Sequence, residues 1–246
     1  MNDFYWRTNG VDDLNKLKIV NHEGDDVPFS NTNAQSRSGE VQVFFRDIES
    51  ELISHIEKAE LVVGCVAWLT NPQILTALSK VKEGVAIVVQ KEDFLRPDIN
   101  NNNSWKKDLR KMYNRLPEVP CRLWWEESLI SSLSFAHDPF IQPVRCVGNH
   151  NRDKVPAFPR MHNKFLVFCK CTVDEEYPKL DVRPYQVWTG SFNFTKTAGK
   201  SLENAVVISD TNIVNAYFQE WEQIEAMSEP LNWDTDWIAP EWRLGT

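Results

Sequence analysis

Leu61-Val62-Val63-Gly64-Cys65-Val66-Ala67-Trp68 is an apolar run broken only by a glycine and rich in β-branched valine. It is far shorter than the roughly 20 apolar residues that cross a bilayer. A short run with no polar face reads as a strand covered on both sides. Next, Asn71-Pro72 predicts an N-cap with proline at the first helical position, and Ile74, Leu75, Leu78 and Val81 supply the buried stripe. Gly84 closes that helix ahead of a third strand at Val85 to Val89. Upstream, Val41 to Phe45 reads as a strand, and Leu52, Ile53, Ile56 and Ala59 recur at helical spacing. Strands apolar on both faces alternating with amphipathic helices predict an α/β fold: a mixed, largely parallel β-sheet flanked by helices on both faces.

Farther along, a helix is expected with Trp105, Leu109, Met112 and Leu116 on one face, and a short strand at Cys121 to Trp125. Residues 126–159 are proline-interrupted and read as one long excursion. A strand at Asn204 to Ile208 and a helix from about Asn212 to Met227 complete the pattern. The expected organisation is a polar N-terminal extension (1–40), irregular from Asn21 to Gly39, then one domain (41–227) and a tail (228–246) carrying Trp233, Trp237 and Trp242.

Composition narrows the classes. A hydrophobic content of 42% is that of an ordinary globule, and the start, Met1 to Trp6, lacks the basic then apolar pattern of a signal peptide, so a cytoplasmic location without stable membrane insertion is expected. Five scattered cysteines make no disulfide framework and no zinc-ligand spacing, so neither metal nor cofactor is expected. A net charge of −8 argues against a surface coated in base for indiscriminate nucleic-acid binding. Local basic patches stand out nonetheless. Lys107 and Lys111, with Lys106, Arg110 and Arg115, stripe one helix, and Arg145, His150, Arg152, Lys154 and Arg160 accumulate ahead of the apolar run Phe165 to Phe168. Either a solvated surface or a track for a nucleic-acid backbone is compatible with such stripes.

Arg160-Met161-His162-Asn163-Lys164 opens that apolar run, and Gly190-Ser191-Phe192-Asn193 closes another. Alternation along a strand puts His162 and Lys164 on one side, and Ser191 and Asn193 likewise. A phosphoryl-transfer site needs a nucleophile, here His162, and a fixed cation for the non-bridging oxygens, here Lys164. Ser191 and Asn193 add neutral donors, and Glu203 is placed to orient a histidine ring. Either motif alone is common; the ordered combination is specific.

These residues make the chain resemble the phospholipase D superfamily, and more narrowly its single-motif nuclease-like branch, over roughly Val41 to Trp221. The resemblance implies His162 as nucleophile, Lys164, Ser191 and Asn193 as phosphate ligands, and Glu203 as the acidic partner. It implies metal-independent phosphodiester cleavage through a phosphohistidine, in a homodimer whose two His162 residues face each other across a twofold axis. Nucleic acid, DNA or RNA, is the implied substrate, with Arg160, Lys107, Lys111, Arg152 and Lys154 as its contacts and a larger defence or DNA-processing assembly as the setting. Two departures stand out. Cys169 occupies the place of the family's motif aspartate, and an enlarged hairpin, Cys169 to Pro184 with Asp174 and Asp181 inside it, separates the motifs. Alternative readings are a lipid phosphodiesterase using Trp124, Trp125, Leu129, Ile130, Leu133 and Phe135 as a membrane face, and a non-catalytic binding scaffold.

Overall fold

The computed structural model describes residues 12–16, 18–20, 23–28, 30–96, 104–119, 122–128, 142–150, 158–173 and 179–232. Arg152, Lys154, Cys121, Asp174, the cluster Leu129, Ile130, Leu133 and Phe135, and the tail's Trp233, Trp237 and Trp242 lie outside the described residues.

A two-stranded hairpin, β1 (Lys18–Val20) with β2 (Asp26–Pro28), precedes a ten-stranded sheet. That sheet is built from β3 (Ala34–Gln35), β4 (Val41–Phe44), β5 (Leu61–Val66), β6 (Val85–Gln90), β7 (Arg122–Trp124), β8 (Val144–Val147), β9 (Lys164–Val173), β10 (Lys179–Gly190), β11 (Ala205–Ile208) and β12 (Glu229–Pro230). Its order is β12-β8-β6-β5-β9-β10-β11-β4-β3, with β7 paired to the first residues of β10. The helices are α1 (Ile48–Ile56), α2 (Pro72–Leu78), α3 (Ser104–Tyr113) and α4 (Thr211–Ala226).

The sheet is mixed, but the expectation that it is largely parallel is overturned. Only the β5–β6, β6–β8 and β7–β10 pairs run parallel, and the other neighbouring pairs are antiparallel. The apolar character that suggested parallel strands has a different cause. Helices α1, α2 and α3 bury Leu52, Ile56, Ile74, Leu75, Leu78 and Leu109 against one face, whereas α4 buries Val214, Phe218 and Trp221 against the other. A strand between two helical layers must be apolar on both sides whichever way it runs. Strand β9 shows this directly: Leu166 and Phe168 enter the first core, Phe165, Val167 and Cys169 the second. Each such fully buried side chain contributes about 1.5–3 kcal/mol by leaving water.

β9 and β10 form a long antiparallel hairpin, paired from Val173–Leu180 to Phe165–Thr189 and inserted between β5 and β11. It separates the expected β4-α1-β5 unit, so β4 and β5 are not neighbours. Gly64 is the condition for that insertion, because a Cβ there would stand 2.3 Å from the carbonyl oxygen of Phe165 on β9.

Local signals resolve as their chemistry dictates. Asn71 Oδ1 accepts from the amides of Gln73 (2.8 Å) and Ile74 (3.3 Å), capping α2, while its Nδ2 donates to Glu49 Oε2 at 2.6 Å and ties α2 to α1. The segment expected to be irregular, Asn21 to Gly39, instead holds β2 and β3, and the excursion 126–159 holds β8. These strands are two to four residues long, too short for alternation to emerge. Trp105, expected on the buried face of α3, is 48% exposed, and Ile213 on α4 is 41% exposed. No helix among the described residues is long and apolar enough to cross a membrane.

Candidate active site

Strand register assembles the site at one end of the central strands. Val66 on β5 opposes Lys164 at the start of β9, Phe165 opposes Thr189 near the end of β10, and Gly190 opposes Ala205 at the start of β11. The residues just beyond these pairs, Trp68, His162, Ser191 and Glu203, therefore emerge side by side. Gly190 permits the closeness, since a Cβ there would meet the carbonyl oxygen of Asn204 at 2.3 Å. The loop carrying His162 is fixed by the main chain, with the Ala67 amide donating to Asn163 O at 2.8 Å.

His162 is exposed and Lys164 half-buried. The Lys164 ammonium donates to the carbonyl of His162 at 2.9 Å and lies 3.3 Å from Nδ1 and 3.4 Å from Nε2. Partial burial, and then the cations Lys164 and Arg160, hold the imidazole below its ordinary pKa, which favours the neutral ring. Burial also lowers Lys164, opposed by the negative charge of Glu203.

The second motif is anchored by its aromatics. Phe192 and Phe194 are 1% and 0% exposed, and the Phe194 carbonyl accepts from the amides of Thr70 (2.8 Å) and Asn71 (2.9 Å). Ser191 and Asn193 fall between them. Ser191 Oγ donates to Glu203 Oε2 and accepts from the Asn204 amide at 3.1 Å. Among the described residues the Asn193 side chain has no hydrogen-bond partner, and its buried Oδ1 is left unpaired. An amide left uncommitted there costs about 1–3 kcal/mol unless something binds it.

The orienting role expected of Glu203 is not what the geometry shows: its carboxylate is taken by Ser191 and faces the Lys164 charge. The group that packs against the imidazole is Trp68, which stands edge-on to it with ring centroids 5.4 Å apart and planes at 82°. Trp68 Nε1 donates to Glu92 Oε1 at 3.0 Å. Burial pushes the Glu92 carboxyl up, and the Trp68 hydrogen bond and the Arg160 charge counter it. Gln90, 2% exposed, is a further residue that sequence reasoning missed. Its Oε1 accepts from the Met161 amide at 2.8 Å, and its Nε2 donates to Asn149 O at 2.7 Å and Lys91 O at 2.9 Å, clamping the approach to His162. A polar residue ending a two-sided apolar strand was the available signal for it.

The basic patches divide. Arg160 is half-buried next to His162, with its guanidinium 4.7 Å from the Phe158 ring centroid. Lys107 is exposed and Lys111 pairs with Asp108 at 3.3 Å; among the described residues neither makes a polar contact with those around His162. Arg110 does not lie on the stripe at all, because its guanidinium turns inward to donate to Leu95 O. Arg145 is likewise structural, bonding Ser228 and pairing with Glu225 at 3.2 Å. Cys169 sits in the α4-side core, fully buried, with its thiol pushed well up by burial. At about 3.4 Å per residue it lies some 17 Å along β9 from Lys164 and on the opposite face, so it takes no part in the site. Asp181 pairs with Lys179 at the far end of β10 and does not replace the missing carboxylate there. Among the described residues no group of three metal-ligating side chains exists. Of the membrane-face candidates within the described residues, Trp125 is core, 4.6 Å from Phe218, and only Trp124 is exposed.

No family model matches the chain. Among solved structures, it is similar to Nuc from Salmonella typhimurium, described as a phospholipase D family member, at 20% identity and a TM-score of 0.44 over 77% of this chain and 95% of that one. It is also similar to NucT from Helicobacter pylori, at 16% identity and a TM-score of 0.49 over 78% and 98% of the two chains. Among curated proteins, one from Acanthamoeba polyphaga mimivirus is 32% identical over 228 residues, 89% of this chain and 74% of that one. At that identity and coverage, the chain belongs to the family of the mimivirus uncharacterized protein L381.

Proposed function

We propose that the chain is a phosphodiesterase of the phospholipase D type that cleaves nucleic acid. The observation that carries this reading is the contact of Lys164 with a neutral-leaning His162, beside an uncommitted Asn193 amide at the ends of the central strands. In the proposed reaction an imidazole nitrogen of His162 attacks phosphorus, and the bond from phosphorus to the leaving oxygen breaks as that oxygen takes a proton. Lys164 and Asn193 hold the non-bridging oxygens, whose charge must be stabilised as the transition state forms. Water then attacks the phosphohistidine, breaking the P–N bond, giving its proton to the group that supplied the first one and freeing His162. That second group is His162 of another copy in a twofold dimer, whose two like imidazoles share a proton and divide the roles of nucleophile and acid.

Single- and double-stranded DNA and RNA, incubated with the purified protein in chelator, test the reading. Cleavage of at least one, lost in His162→Ala, supports it; a folded protein that cuts none of them overturns it. Sedimentation of the active protein as a monomer would remove the shared-histidine step.

A further inference from the structure

We propose that the apolar cleft beside His162 receives an unpaired nucleobase of the strand being cut, a reading that rests on the phosphodiesterase function above. The cleft, about 260 Å³, opens between the loop ending at Met161 and the C-terminus of α4. Val147, Met161, Ile224 and Met227 make its walls, and Arg160 and His162 stand among them. An apolar slot flanked by a cation and a phosphate-binding site matches a nucleotide, which presents a flat ring one sugar away from its anion. The volume lies just below the roughly 300–1,000 Å³ of sites for drug-sized ligands, enough for a single base and too small for stacked base pairs. At the neighbouring loop Phe158 is 73% exposed, and its carbonyl accepts from Asn149 Nδ2 at 2.9 Å. Arg160 approaches its ring, and the rest of that aromatic surface is available for stacking. Aromatic side chains bind successive bases of single strands in this manner. The net charge of −8 adds weight, since general attraction for a polyanion is weak and contacts to bases must supply more of the affinity.

The test compares binding of a fluorescent oligothymidine with that of an abasic oligomer of equal length, at fixed salt. All proteins carry His162→Ala, so that nothing is cut and the result does not depend on catalysis. The cleft predicts about tenfold tighter binding of the thymidine strand, retained in Phe158→Trp and reduced to about threefold or less in Phe158→Ala or Met227→Ala. Circular dichroism establishes that each variant folds, and Phe158→Leu, which keeps bulk without a π-face, stands in for any that does not. Equal binding of the two oligomers, or a preference untouched by these changes, overturns the proposal. So does Phe158-dependent binding to phosphatidylglycerol vesicles without base preference, which would make this face a membrane contact. Failure of the wild type to cleave any nucleic acid bears instead on the phosphodiesterase reading.

Discussion

Lys164 donates to the main-chain carbonyl of His162 while standing within 3.4 Å of both imidazole nitrogens, so the proposed phosphate ligand and the proposed nucleophile are in direct contact. In the proposed reaction His162 must be neutral to attack, and its pKa is held below the ordinary value of about 6.5. The acid limb of the activity is therefore expected to lie below the ordinary histidine value, where pH drops through that lowered pKa. Lys164→Met should reduce kcat by about 10²–10³-fold by removing a charge-stabilising donor, and should move the acid limb of the pH–rate profile to higher pH. An acid limb unmoved in the variant would contradict this.

Glu203→Gln tests the other side of the lysine. The carboxylate is the influence that raises the Lys164 pKa against burial. Without it, Lys164 should lose its proton at lower pH, which an NMR titration of the Lys164 ammonium reads directly. Glu203→Asp should retain the wild-type titration, whereas a role confined to holding Ser191 would change kcat without shifting it.

Gln90→Leu should unfold more easily by about 2–3 kcal/mol, because it leaves the Met161 amide and the Asn149 and Lys91 carbonyls without this partner in a buried setting. Denaturant titration measures the loss. A larger KM at unchanged secondary structure is also expected, as the clamped loop leads directly to His162.

Cys169 stands where the resemblance to the phospholipase D superfamily implies an aspartate, yet Cys169→Asp should not improve the proposed activity. It would place a carboxylate in a fully buried core site and cost about 3–5 kcal/mol as an unpaired charge. Cys169→Ala, which only removes a sulfur, should fold and retain most activity. A stable, more active Cys169→Asp would show that the position communicates with the site.

His55 gives a stability prediction independent of catalysis. It packs against Phe44, Phe168 and Trp188, and its Nδ1 donates to Gln186 Oε1 at 2.7 Å. Burial lowers its pKa in the folded state, so the native form favours the neutral ring. Its contribution is complete above the unfolded value of about 6.5 and is lost as pH falls through the lowered folded value. Urea titrations between pH 7 and 5 should show stability falling, with a shallower slope in His55→Phe.

The sequence makes some of this organisation legible and conceals the rest for identifiable reasons. Asn71-Pro72 announces the cap of α2 because both residues act locally, and Ile74, Leu75 and Leu78 give the buried stripe directly. His162, Lys164, Ser191 and Glu203 were recognisable from order and alternation, and the structure brings them to one end of the central strands. Strand direction was hidden, because the residues of β5 and β9 record coverage by helices and not the sense of their neighbours. The Trp68–His162 and Ser191–Glu203 contacts were hidden because they cross between strands whose adjacency is a property of the whole sheet. The inward turn of Arg110 was hidden too, since a helical stripe gives spacing but not the position of Leu95.

The hairpin of β9 and β10 has a root and a tip, and both halves of the site belong to its root. Residues added to the two arms at the tip, in step, lengthen the ladder while leaving the pairing of Phe165 with Thr189 in place. The long spacer between Lys164 and Gly190 is therefore a measure of arm length, not of distance across the candidate site. The number of residues between Lys164 and Gly190 can thus change at the tip in matched steps without altering which residues meet at the root.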